Sequence, residues 1–138
     1  MTLSNEQREQ LIEAALAARK WAYAPYSKYK VGAALLTASG KIYAGVNIEN
    51  AAYPSGICAE RVAVYKAVSE GEREFNAIVV ATHNGGTPCG ACRQVLAEFG
   101  LDTEVIIVND KGAVIEETSV KDLLPGAFTS SSLSLIHI

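Results

Sequence analysis

The sequence predicts an α/β protein, a three-layer α/β/α sandwich in which one five-stranded mixed sheet carries helices on both faces. Three observations predict it. Helical and strand patterns alternate along the chain in the order α-β-β-α-β-α-β-β-α. Phe75 to Thr82 is a nearly continuous apolar run, as expected of a central strand buried on both faces. The last two strands are separated only by Asn109-Asp110-Lys111-Gly112, so that pair is antiparallel.

Each element has a local reason. Ser4 is placed to cap a first helix, with Gln7 as its capping-box partner. Leu11, Ile12, Ala15, Leu16 and Ala22 then recur at helical spacing, and Pro25 is expected to stop the helix close to Tyr23. Val31 to Thr37 and Lys41 to Val46, joined by Ala38-Ser39-Gly40, read as a hairpin. A loop from Glu49 to Ile57 leads into a second helix from about Cys58 to Glu70, stopped by Gly71. After the Phe75 to Thr82 strand and the His83-Asn84-Gly85-Gly86 loop, a third helix runs from near Cys89 to Gly100. Glu104 to Val108 and Ala113 to Glu117 are the last strands, and Ser119 to Leu124 is a short helix ending at Pro125.

At 138 residues the chain has the size of one domain, and its 49% hydrophobic and 20% charged content is that of a folded protein. The formal net charge of -3 comes with scattered lysines and arginines, which argues against nucleic acid as the main partner. No apolar run is long enough for a bilayer, and the polar start from Thr2 to Glu6 is unlike a signal peptide. A cytoplasmic location without a membrane partner is therefore expected. Three cysteines in such a chain point to metal ligation or catalysis more than to disulfides.

Two short motifs carry chemistry, Cys58-Ala59-Glu60 and Pro88-Cys89-Gly90-Ala91-Cys92. Each opens a predicted helix, where free N–H groups and the helix dipole favour a thiolate. Three thiolates can take three corners of a zinc tetrahedron and leave the fourth for water. That arrangement bears one net negative charge, which Arg61 can offset by donating to the sulfurs. Glu60, only two residues from Cys58, is badly placed as a ligand but well placed to move protons at the open corner. The pattern is similar to the zinc deaminase signature with cysteine as first ligand. Against it stand a structural zinc site with His83 as fourth ligand, and an unmetallated cysteine cluster. His83 is more readily an exposed loop residue, and neither alternative explains Glu60.

From about Asn5 to Phe128 the chain resembles the small cytidine deaminases that act on free nucleosides. The matching segments include Ala24-Pro25-Tyr26-Ser27-Lys28, Gly45-Val46-Asn47-Ile48-Glu49-Asn50-Ala51, Cys58-Ala59-Glu60-Arg61, Pro88-Cys89-Gly90-Ala91-Cys92-Arg93-Gln94 and Leu123-Leu124-Pro125-Gly126. The resemblance implies one zinc per subunit on Cys58, Cys89 and Cys92, with Glu60 as the catalytic proton carrier. It implies that Asn47 and Glu49 bind the ribose hydroxyls, residues that alone would read as an ordinary polar turn. It further implies that the Thr87 carbonyl accepts from the amine, and that the Ala59 backbone meets the pyrimidine carbonyl. Tyr53 and Phe128 resemble aromatics that reach a neighbouring subunit's substrate, which implies a homotetramer with shared active sites. Cytidine or deoxycytidine would be converted to uridine or deoxyuridine, as in pyrimidine salvage.

Departures mark where this chain has its own character. Tyr29 stands where the family often has Phe, facing the base, and Val62 replaces a common threonine. The segment from Thr129 to Ile138, with loop-like Ser130-Ser131-Ser132 and an apolar end, is foreign to the pattern. It is similar to transposase-adapter read-through and is expected to be a non-native tail after a domain spanning 1–128. Rival readings are a blasticidin-type or N4-substituted nucleoside deaminase, a polynucleotide deaminase of the same fold, and a zinc-stabilised nucleoside-binding module.

Overall fold

Ser4 opens the first helix, α1 (Asn5–Arg19), through the capping box expected of it: its hydroxyl accepts from the Gln7 N–H at 3.1 Å, and its own N–H donates to the Gln7 side chain at 3.1 Å. The computed structural model describes residues 3–134. α1 stops at Arg19, short of the end expected near Tyr23. The Tyr23 backbone is taken up elsewhere, its N–H donating to Asn47 O at 3.0 Å and its carbonyl accepting from the Glu49 N–H at 2.8 Å. A long-range pairing has overridden a local helical pattern.

The strands are β1 (Gly32–Thr37), β2 (Ile42–Val46), β3 (Phe75–Ala81), β4 (Glu104–Val108) and β5 (Val114–Ser119). They form one sheet in the order β2-β1-β3-β4-β5. Only β3 and β4 run parallel, Ala77 opposite Glu104 through Ala81 opposite Val108; the other pairs are antiparallel, β4 and β5 included. The mixed sheet is thus as expected, and the parallel pair is joined by the helix α3 (Gly90–Glu98).

Strand alternation sorts the core into two layers. On one face Leu35, Ile78, Val80, Val105 and Ile107 meet Ala63, Val64 and Ala67 of α2 (Ala59–Ser69) and Leu96 of α3. On the other, Leu36, Val79, Ile106 and Val108 meet Leu11 and Ala15 of α1. β3 supplies both layers, which is why its sequence is apolar without alternation. Each fully buried Leu, Ile or Val in these layers contributes about 1.5–3 kcal/mol.

One contact in this frame positions the chemistry. A Cβ at Gly45 of β2 would lie 2.5 Å from Ala59 O and 2.6 Å from Ala63 N. Only glycine lets the first turn of α2 press so closely on the sheet, and that turn carries Cys58 to Glu60.

α4 (Val120–Leu123) is capped by the Ser119 hydroxyl, which accepts from the Asp122 N–H at 3.1 Å. Ser130 to Ser132, expected as loop, instead belong to a short helix, α5 (Ser130–Ser134). Thr129 starts it: its carbonyl accepts from the Ser132 N–H at 2.9 Å, and its N–H donates to Ser132 Oγ at 3.3 Å. Serines thus open a helix by local hydrogen bonds. The apolar end of the expected tail, from Leu135 on, lies outside the described residues.

Candidate active site

Two helix starts converge on one point. Cys58 is the N-cap of α2 and Cys89 the N-cap of α3, both with extended backbone and neither using its side chain as a cap. Their sulfurs are therefore free to face away from the helix. Cys92 is the third residue of α3 and fully buried. The Sγ atoms of Cys58 and Cys89 are 3.8 Å apart, those of Cys89 and Cys92 3.5 Å, and all three lie within 4.8 Å of one another. Sulfurs bound to zinc at ~2.3 Å in a tetrahedron stand ~3.8 Å apart. The residues fit the ion.

Charge tells the same story. Arg61 Nη2 donates to Cys58 Sγ at 3.3 Å, while Arg61 Nε is buried without a hydrogen-bond partner among the described residues. The Cys92 thiol and Arg61 together pull the Cys58 thiol well below its ordinary pKa. Cys92 is pushed far up, by its hydrogen bond to Cys58, by burial and by the Glu60 charge. A Cys58 thiolate is thus stable beside Arg61, whereas a Cys92 thiolate is not unless a cation joins it. A divalent metal would supply that cation, releasing the thiol proton as it binds.

Glu60, 4% exposed, stands on the wall of the same cavity. Burial pushes its carboxyl above the ordinary range, and the Cys58 charge adds to that. His83 is not part of the cluster: its Nδ1 pairs with Asp110 Oδ2 at 2.9 Å.

The cavity is about 700 Å³, and Cys58, Glu60 and Cys89 line it together with Tyr29, Asn47, Glu49, Tyr53 and Thr87. Asn47 and Glu49 are already engaged by the chain. Asn47 Nδ2 donates to Tyr29 O at 2.8 Å and its Oδ1 accepts from the Val31 N–H at 2.9 Å, leaving one amide hydrogen. Glu49 Oε1 accepts from the N–H groups of Tyr26 at 3.0 Å and Ser27 at 3.1 Å, and its Oε2 accepts from the Ser27 hydroxyl. These bonds, that of the Ser27 side chain first, hold the Glu49 carboxyl below its ordinary pKa. The turn they grip contains Lys28 at φ +62°, a left-handed conformation costly for a non-glycine residue.

Tyr53 is 77% exposed and meets Tyr26 edge-on, with ring centroids 6.3 Å apart. Phe128, 59% exposed, does not line the cavity; its carbonyl accepts from Gln94 Nε2 at 2.9 Å. The Ala59 side chain is buried and its carbonyl faces Gly45, so at this first helical position the N–H remains without an intrahelical acceptor. Thr87 Oγ1 accepts from Arg93 Nη2 at 3.1 Å, and Arg93 also reaches Pro88 O and Leu123 O, fixing the approach to α3.

Residues 5–109 match the cytidine and deoxycytidylate deaminase zinc-binding region. The chain belongs to this deaminase family. A cytidine deaminase of Sporosarcina psychrophila is 52% identical to it over 128 residues, spanning 91% of this chain and 94% of its own. The crystal structure of cytidine deaminase from Burkholderia pseudomallei superposes with a TM-score of 0.83 at 50% identity, covering 91% of this chain and all of that one. A blasticidin-S deaminase of Bacillus cereus is 31% identical over 113 residues, with 75% of this chain and 79% of its own covered. Among the described residues, no helix is long and apolar enough to cross a membrane.

Ser27, Thr82 and Gly86 also line this cavity, and Asn84 backs it through Tyr29, without a signal of their own in the sequence. Ser27 sits in a quoted motif but gives no hint of gripping Glu49, 22 residues away. Asn84 and Gly86 read only as a loop.

Proposed function

We propose that this protein hydrolyses cytidine and deoxycytidine to uridine and deoxyuridine with release of ammonia. The observation that carries the reading is the buried Glu60 carboxyl on a cavity wall beside three sulfurs at zinc-tetrahedron spacing. Zinc held there supplies a Lewis acid that makes water a nucleophile near neutral pH.

The rest is work for the chain. Glu60 takes a proton from the attacking water and gives it to N3 of the pyrimidine as the oxygen bonds to C4. It then carries the oxygen's second proton to the amino group, the C4–N bond breaks, and ammonia leaves a carbonyl at C4. Desolvation suits Glu60 to this, because a carboxyl raised above its ordinary pKa both accepts and returns a proton readily. Thr87 O receives the amine, and the Ala59 N–H receives the pyrimidine carbonyl. Tyr29 stacks on the base. The free hydrogen of Asn47 Nδ2 and the carboxylate of Glu49 take the ribose hydroxyls.

Phe128 completes the site from a neighbouring subunit of a homotetramer, supported by its exposure and its position off its own cavity; Tyr53 borders its own cavity and, largely exposed, also reaches a neighbouring subunit's. The free cysteines suit the reducing cytoplasm, where pyrimidine salvage would use the products. The antiparallel β4–β5 pair favours free nucleosides over polynucleotides, whose deaminases resemble proteins with a helix there. The presence of Asn47 and Glu49 favours cytidine over blasticidin-type substrates.

The test is the fall in ultraviolet absorbance when zinc-loaded protein meets cytidine, deoxycytidine and blasticidin S in parallel, with uridine identified in the product. Binding without uridine release would leave a nucleoside-binding module instead.

A further inference from the structure

Asn84 has no part in the deaminase reading, although the inference drawn from it rests on that reading. It lies in the loop between β3 and α3, where its Oδ1 accepts from the Tyr29 hydroxyl at 2.7 Å. The base of this loop is tied down: Thr82, 2% exposed, accepts through Oγ1 from the N–H groups of Gly85 at 2.8 Å and Gly86 at 2.9 Å. Thr82 Oγ1 also reaches Asn84 Oδ1 at 3.5 Å. Gly86 leaves space for the arrangement, because a Cβ there would lie 2.6 Å from the Tyr29 hydroxyl oxygen.

Tyr29 and Thr87 line the same cavity, one on the approach to β1 and the other at the end of this loop. Tyr29 is 38% exposed, so packing alone holds the ring weakly. A phenylalanine could not make the bond to Asn84. The gap between the aromatic wall and the loop is therefore set by one hydrogen bond, across the place where the leaving amine would sit.

We propose that Asn84, acting through the Tyr29 hydroxyl, is a positioning residue that holds the aromatic wall against the Thr87 loop and restricts the pocket to an unsubstituted pyrimidine amine. The experiment compares kcat/KM for cytidine and N4-methylcytidine in the zinc-loaded protein, in Asn84→Ala, in Tyr29→Phe and in the double variant. Each single change lowers the preference for cytidine about 3- to 10-fold, mainly through KM, as loss of one hydrogen bond implies. The double variant loses no more than either single one, because both remove the same bond.

Gly86→Ala approaches the bond from the other side and stands in should Asn84→Ala not fold. It lowers the preference in the Tyr29 protein and leaves it unmoved in Tyr29→Phe, where the displaced hydroxyl is gone. Additive losses, an unchanged preference, or an equal fall in kcat for both substrates would each overturn the proposal. A parent protein that releases no uridine from cytidine removes the deaminase reading, and this inference with it.

Discussion

The two ends of the cavity are held by different means. At the metal end, three sulfurs and Glu60 sit at the starts of α2 and α3, with the first turn of α2 pressed on the sheet at Gly45 and with Glu60 and Cys92 buried. At the end proposed to take the sugar, a strained turn at Tyr26 to Lys28 is held by the Glu49 carboxylate, with Tyr53 exposed at the rim. Helix starts locked to a core give fixed chemistry, whereas a turn held by a few partly exposed hydrogen bonds gives adjustable binding. Changes at the first end should therefore appear in metal content and kcat, and changes at the second in KM.

The largest effects separate metal from proton at the same end. Cys89→Ala should lose zinc, and with it both turnover and thermal stability, when metal content is assayed beside activity. Glu60→Gln should keep its zinc and its fold yet lose at least about 100-fold in kcat. If Glu60→Gln turned over near the parent rate, or Cys89→Ala kept a full zinc complement, the metal end would not be the catalytic end. Arg61→Gln comes next. Removing the donor to Cys58 should weaken zinc about 10- to 100-fold in competition with a chelator, while leaving KM for cytidine near its parent value. A change confined to KM would make Arg61 a part of the binding end.

The metal end was also the more legible in the sequence. Cysteines at N-cap positions announce themselves through the Pro-Cys-Gly and Cys-Ala-Glu patterns, because cap and metal geometry are both local. The early end of α1 was not legible, since it depends on Tyr23 pairing with Asn47 and Glu49 across the fold. The same is true of Asn84, whose partner Tyr29 is 55 residues distant. Asn47 shows the difference within one residue. The resemblance supplied its expected role, but only the structure shows that most of its amide is spent tying Tyr29 to Val31.

The smallest effect tests the sugar end through pH. Folding lowers the Glu49 pKa from its ordinary 4.5, chiefly through the Ser27 hydroxyl and N–H. A carboxyl depressed on folding contributes stability that is complete above its unfolded pKa and is lost as pH falls through the folded value. Glu49 is only half-buried, so the effect on global unfolding is small and falls mainly on the Tyr26 to Lys28 turn. Thermal melts of the parent and Glu49→Gln should therefore run parallel from pH 7 down to about 5 and draw together below it. Asp110 and Glu117, also depressed, titrate in both proteins and cancel in the difference. At pH 7, Glu49→Gln should raise KM for cytidine about 10-fold with little change in kcat, through loss of a charged acceptor and of the grip on the turn. A fall in kcat with KM held constant would mean that Glu49 acts on the chemistry, and the division between the two ends would fail.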